Sequence, residues 1–224
     1  MRRFLRENAL GLFFGALFLC ALLGQAIAGH IAYNQDQLAH GGHAISLGRY
    51  VTSSDFANAV AENWQSEYLQ FMLFMLATVW LLQRGSPESK ELDKPGRESD
   101  ADQRVGRYAP SDAPGWARAG DWRTSVYSNS LLIVMGLIFV GSWFAQSVTG
   151  WTAFNQMQAE HHEAAVSWIG YLGQADFWEA TLENWQSEFL AVGSFAVFAI
   201  YLRQRGSPES KPVGAPHDST GIEG

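Results

Sequence analysis

One cysteine, Cys20, serves the whole chain. No disulfide can therefore form within it, and because Cys20 lies inside an apolar run it says nothing about redox compartment. Catalytic signatures are missing too. There is no glycine-rich phosphate loop, nucleophile elbow or zinc-hydrolase spacing, and Ser66 beside Glu67 does not make a triad. No catalytic residue is assigned, and the expectation is a non-enzyme without a cofactor. Haem is disfavoured because no histidine falls deep inside an apolar run. The basic residues of the central segment are interleaved with acids, so nucleic-acid binding has no support. No Asp, Glu, Lys, Arg or His stands between Glu67 and Arg84, or between Glu188 and Arg203, which leaves a proton relay across those stretches without members.

What the chain does have is four apolar runs, at 9–29, 68–82, 131–148 and 189–202. A helix needs about 20 residues to cross the ~30 Å hydrocarbon core. The first and third runs reach that length. The second and fourth reach it only with flanking residues around Trp64 and Gln83, or Trp185 and Arg203. A soluble four-helix core is the alternative, but stretches such as 10–23 carry no polar face, which a soluble bundle helix shows.

Charge sets the orientation. Of the 15 Lys and Arg residues, Arg49 alone falls in the segments 30–67 and 151–188. Those segments hold the acids Asp36, Asp55, Glu62, Glu67, Glu160, Glu163, Asp176, Glu179, Glu183 and Glu188. The positive-inside bias then places both termini and the central linker in the cytoplasm and the acidic segments outside. Arg2-Arg3 followed by an apolar stretch and Ala26-Ile27-Ala28 also resembles a cleavable signal peptide. An internal counterpart at 129–150 aligns with it without gaps and argues for a retained helix.

The strongest feature is a repeat. Glu62-Asn63-Trp64-Gln65-Ser66-Glu67 returns as Glu183-Asn184-Trp185-Gln186-Ser187-Glu188, an offset of 183 − 62 = 121 residues. The box Gln83-Arg84-Gly85-Ser86-Pro87-Glu88-Ser89-Lys90 returns at 204–211, and Gln25/Gln146, Asn34/Asn155 and His40/His161 keep the same offset. The expected fold is an all-α membrane protein: four transmembrane helices from two parallel two-helix repeats, plus short amphipathic outer-face helices. The expected divisions are a first unit at 1–90, a disordered cytoplasmic linker at 91–125, a second unit at 126–211 and a disordered tail at 212–224. Within the first unit, helix one runs from about residue 4 to 29 or further toward His40 and breaks at Gly41-Gly42. A short amphipathic stretch covers 43–51. Helix two is capped by Ser54 or Asp55, reaches Arg84, and ends with Gly85 as its left-handed residue.

Positions shared by the two copies suggest inward stripes. In helix one these are Asn8, Gly15, Phe18, Gln25, Gly29 and Ala32; in helix two they are Glu67, Phe74 and Leu81. Gly11 and Gly15 would permit close helix approach. The polar members define a candidate pocket at the outer leaflet, comprising Gln25, Asn63, Ser66, Glu67, Gln146, Asn184, Ser187 and Glu188. Alternatively, Glu67 and Glu188 sit among the headgroups and merely end their helices. The cytoplasmic box keeps more than capping requires. Arg84, Ser86, Glu88 and Lys90, with Arg205, Ser207, Glu209 and Lys211, form a candidate docking motif for a protein partner. His40, His43, His161 and His162 are weak candidates for a metal site, since only His40 and His161 correspond.

Arg6-Glu7-Asn8, Gly24-Gln25, Gly29-His30, Tyr33-Asn34 and the two boxes resemble a family of small bacterial integral-membrane proteins of unknown function. The resemblance implies a bacterial inner-membrane location, in contact with lipid bilayer, and carries no activity. Two function classes remain beside the structural, accessory or envelope-stress role expected first. One is a small cation or proton channel or carrier; the other is an outer-face metal or ligand sensor.

Overall fold

The computed structural model describes residues 2–222. Among the described residues the chain is helical, with no strand. The helix expected from about residue 4 is interrupted before the first apolar run. Asn8 leaves helical geometry at φ −120° and separates α1 (Arg2–Glu7) from α2 (Ala9–Ala39). α2 has 31 residues. Its run 9–29 is about 31 Å long at ~1.5 Å per residue, matching the ~30 Å core. Gly41, at φ +77°, ends it, with Gly42 N–H donating to Gln37 O at 2.7 Å. α7 (Ser130–Glu160) has the same length and stops in the same way. His162 takes the left-handed position at φ +59°, and Glu163 N–H reaches Gln158 O at 2.8 Å. α2 and α7 are the two described helices long and apolar enough to cross a membrane.

α3 (Leu47–Tyr50) and α8 (Trp168–Tyr171) are single turns, shorter than the stretch expected at 43–51. α4 (Ser54–Ala77) starts one residue early, because the Ser53 hydroxyl accepts Phe56 N–H at 3.3 Å. It also stops seven residues short of Arg84. Thr78, Val79 and Trp80 form a turn instead, in which the Thr78 hydroxyl bonds back to Phe74 O at 3.0 Å and Gly96 N–H takes Val79 O at 2.7 Å. Gly85 does have a positive φ, +83°, but as part of a later loop and not as the end of α4. α9 (Ala175–Tyr201) likewise ends before Arg205. Between residues 91 and 125, the segment expected to be a disordered linker carries a 3₁₀ turn at Gly106–Tyr108, α5 (Gly115–Arg118) and the start of α6 (Trp122–Ser128).

The chain forms two compact units. One comprises Met1–Ala61 with Ala145–Gly173, the other Glu62–Phe144 with Gln174–Gly224. The first unit buries Ala26, Tyr50 and Tyr171. Tyr50 packs on Tyr33 and Phe56, both with ring centroids 5.6 Å away, and Tyr171 on Phe154 at 5.5 Å. The second unit buries Leu69, Phe139, Phe177, Ala199 and Ile200. Trp143 lies at its centre, within 5.5 Å of Trp185 and 5.6 Å of Phe139.

The inward stripe expected on helix one is not found. Asn8, Gly15, Phe18 and Ala32 are exposed, with Gln25 and Gly29 half-buried. A Cβ on Gly11 or Gly15 would meet nothing within 4 Å, so neither permits a close approach. The close approach is at Gly136 of α7, where a Cβ would lie 3.3 Å from Met72 Sδ. On α4, Phe74 is half-buried, while Glu67 and Leu81 are exposed.

Candidate functional site

The first unit holds two loops closed by the same device. Asn34 Oδ1 accepts Ile45 N–H at 2.8 Å while its Nδ2 donates to Ile45 O at 3.0 Å. At the same offset of 121, Asn155 Oδ1 accepts Val166 N–H at 2.9 Å and its Nδ2 donates to Val166 O at 3.0 Å. One side-chain amide thus imitates a strand neighbour and pins extended chain to the helix. A ring nitrogen also lies against each clasped carbonyl: His30 Nε2 is 2.6 Å from Ile45 O, and Trp151 Nε1 donates to Val166 O at 2.7 Å. The next residue caps the single-turn helix, Ser46 for Arg49 N–H and Ser167 for Gly170 N–H. Tyr50 and Tyr171 then bring their hydroxyls onto Gly29 and Gly150, where a Cβ would collide with them. Burial, then the charge of Asp55, push the Tyr50 phenol above its ordinary pKa. Gln37 Nε2 reaches Glu160 at 3.3 Å, and Thr149 Oγ1 reaches Asn58 Oδ1 at 3.3 Å.

In the second unit α4 and α9 meet through the Glu-Asn-Trp-Gln-Ser-Glu boxes, with the two copies in unlike surroundings. Trp185 Nε1 donates to Gln65 Oε1 at 2.6 Å, and Gln70 Nε2 to Glu188 O at 3.3 Å. The Glu188 carboxyl lies near Ser66, whose hydroxyl donates to Asn63 O at 3.0 Å, and near Glu67. Gln65 and Ser66 are buried, whereas Gln186 and Ser187 are exposed. Of the candidate pocket, Ser66 and Glu188 come together. Asn63, Glu67 and Ser187 are exposed and Asn184 is half-buried, its Nδ2 donating to Ala180 O at 2.8 Å. Gln25, half-buried, and Gln146, fully buried, belong to the first unit. On this stretch of α4 the buried positions are Gln65, Ser66 and Leu69.

The boxes at 83–90 and 204–211 are closed by bonds within each loop. Ser89 Oγ accepts Gln83 N–H at 2.9 Å and Ser86 Oγ accepts Glu88 N–H at 3.2 Å. The second copy repeats both, from Gln204 N–H to Ser210 Oγ at 2.9 Å and from Glu209 N–H to Ser207 Oγ at 3.2 Å. Gly85 and Gly206 share the left-handed turn, at φ +83° and +82°. The lysine that ends each box folds the following segment over it. Lys90 Nζ donates to Gly96 O at 2.7 Å and pairs with Glu98. Lys211 Nζ donates to Pro216, His217 and Ser219 carbonyls at 3.2, 2.9 and 3.2 Å. Burial first, then Arg203, hold the Lys211 ammonium below the ordinary lysine value. Hydrogen bonding to Lys90 holds the Glu98 carboxyl below the usual carboxylate value. Ser86, Ser89 and Lys90, unexplained by capping, therefore have structural roles inside the loop.

His40 pairs with Asp36 on its own helix, Nδ1 to Oδ1 at 3.4 Å. Among the described residues no group of three or more His, Cys, Asp or Glu is placed to hold a metal ion. A family profile described as a domain of unknown function, DUF6766, matches residues 1–222. The chain belongs to that family. No curated protein and no solved structure matches it. In this DUF6766 chain, sequence reasoning missed the Asn34 and Asn155 clasps and the Tyr50 and Tyr171 sockets. Their signal was present in the paired Asn34/Asn155, Gly29/Gly150 and Tyr50/Tyr171 identities. The bonding partners at 45 and 166 act through backbone and leave no such trace.

Proposed function

We propose that this protein is a multi-pass inner-membrane protein of bacteria with four crossings, made from two copies of one two-helix unit in the same orientation, and that its role is structural, accessory or envelope-stress related, without enzymatic activity. One observation carries this: the apolar runs of α2 and α7 are uncovered. Leu10, Phe13, Phe14 and Leu23 on α2, and Leu131, Leu137, Val140 and Phe144 on α7, are all exposed. Apolar surface on that scale needs hydrocarbon or a partner, and a helix satisfies its own backbone there.

Chain course supports this number of crossings. Both Asn clasps belong to one compact unit, so α2 and α7 leave the membrane on the same side. The chain between them must then return, and α4 returns it. Its helical apolar stretch, 68–77, covers only about 15 Å at ~1.5 Å per residue. Trp64 to Ala77 extends this to roughly 21 Å at ~1.5 Å per residue, and the whole of α4, Ser54–Ala77, to about 36 Å. The recurrence of the clasp, socket and loop bonds at one offset supports duplication of the unit. Both termini and the 78–129 segment are placed in the cytoplasm by the basic residues.

Washing membranes with alkaline carbonate should leave the chain in the pellet; release into the supernatant would remove the membrane assignment. Pull-down from native membranes then distinguishes an accessory protein, which brings a partner, from a self-sufficient one. The proximity of Glu188 to Ser66 and Glu67 favours cation or proton passage as a second function. Reconstituted vesicles should then show a cation flux that Glu67→Gln with Glu188→Gln reduces, and no flux would end that alternative.

A further inference from the structure

Both long apolar helices begin at the same kind of break. Asn8 and Asn129, at the offset of 121, leave helical geometry at φ −120°, ψ 16° and φ −117°, ψ 9°. Each turns its Nδ2 back to the carbonyl four residues earlier, Phe4 O at 2.9 Å and Ser125 O at 2.7 Å. A short helix is thereby set off before each span, α1 before α2 and α6 before α7. Both short helices leave apolar side chains uncovered: Phe4 and Leu5 on α1, and Trp122, Val126 and Tyr127 on α6.

α6 is tied to α5. Thr124 is buried, and its Oγ1 donates to Trp116 O and accepts Gly120 N–H, both at 2.8 Å. With Thr124 turned inward, Trp122 and Val126, four residues apart, share the outer side of α6. Trp116 joins Trp122 edge to face, with ring centroids 5.7 Å apart. Both indoles are open, at 45% and 66% exposure. Four arginines, Arg104, Arg107, Arg118 and Arg123, accompany them against two acids, Asp112 and Asp121. Trp122 stands eight residues before Ser130, a reach of about 12 Å at ~1.5 Å per helical residue, so the first turn of α7 holds this pair beside the leaflet it enters. Indole rings favour the boundary between headgroups and hydrocarbon, and arginine is drawn to anionic headgroups. We propose that the segment 106–128 is a membrane-surface anchor, with Trp116, Trp122 and Val126 entering the headgroup zone of the cytoplasmic leaflet. The linker is then held against the lipid where it meets α7. This rests on α7 crossing the membrane, as proposed above.

The test uses the full-length chain with Cys20→Ser, reconstituted into vesicles of phosphatidylcholine and phosphatidylglycerol. One nitroxide at a time is attached at Val126→Cys, Gln103→Cys or Leu137→Cys. Collisions with oxygen, which enters lipid, are compared with collisions with a water-soluble nickel chelate. The Leu137 label should favour oxygen, the Gln103 label the chelate, and the Val126 label oxygen. Trp116→Ser with Trp122→Ser should then move the Val126 label to the ratio seen at Gln103, while the Leu137 label keeps its own. With the Leu137 label in lipid, a Val126 label that favours the chelate from the start overturns the anchor and leaves the crossing of α7 standing. So does a Val126 ratio indifferent to the paired tryptophan substitution. A Val126 label shielded from both reagents means that protein covers this face, and overturns it too. A Leu137 label open to the chelate removes the crossing itself, and the anchor with it.

Discussion

Asn34 and Asn155 each satisfy both an N–H and a C=O of a segment that has no strand partner. Removing such a side chain leaves the backbone N–H to find water or stay unpaired, while the carbonyl keeps its ring nitrogen, at a cost of about 1–3 kcal/mol. Asn155→Ala should therefore lower the melting temperature in detergent, and Asn155→Asp should lower it less, since the carboxylate still accepts Val166 N–H. The glycine sockets make a sharper test. Gly150→Ala forces a methyl into the Tyr171 hydroxyl, and overpacking of that kind costs about 1–3 kcal/mol. Tyr171→Phe should recover part of the loss in the double variant, measured as a melting shift. Equal losses in Gly150→Ala with and without Tyr171→Phe would mean that the hydroxyl is not the obstacle. Glu98 offers a pH test. Its folded pKa is below its unfolded value because of Lys90. The linkage contributes stability above the unfolded carboxylate pKa, and that stability is lost as pH falls through the folded one. The Glu98 carboxyl should titrate by NMR below an ordinary glutamate, and Lys90→Met should bring it back up.

At the scale of elements, the two copies of one box do different work. Trp185 Nε1 satisfies Gln65 Oε1 inside the α4–α9 contact, whereas Trp64 is exposed. Trp185→Phe should therefore destabilise the chain by about 1–3 kcal/mol, leaving a fully buried amide without its donor, while Trp64→Phe should change the melting temperature little. The apolar runs made α2 and α7 legible, because about 20 apolar residues admit few other structures. The end of α4 was not legible. Thr78, Val79 and Trp80 continue the apolar pattern, and the turn there depends on Gly96 N–H capturing Val79 O from a distance of 17 residues along the chain. Hydrophobic pattern has no means of registering such a bond. The loop boxes were visible as identities but not as closed loops, since their bonds run from backbone N–H groups to serine hydroxyls within seven residues.

For the whole molecule, the repeat pointed to the positions that matter and misassigned some of their surroundings. Gln25 and Gln146, paired by identity, belong to one compact unit, and Glu67 and Glu188 to the other. Identity at Gly15 and Phe18 suggested packing, and both stand exposed on α2. A residue kept in two copies can face a surface outside the chain as readily as one within it, and sequence identity alone does not separate the two. The central claim is that the clasped loops of the first unit lie outside the membrane and the linker lies inside. It is tested most directly by an impermeant thiol reagent on intact cells, with Cys20→Ser and one new cysteine at a time. His43→Cys should react from outside, and Gln103→Cys should react only after permeabilisation. Labelling of Gln103→Cys in intact cells, with His43→Cys protected, would contradict the account.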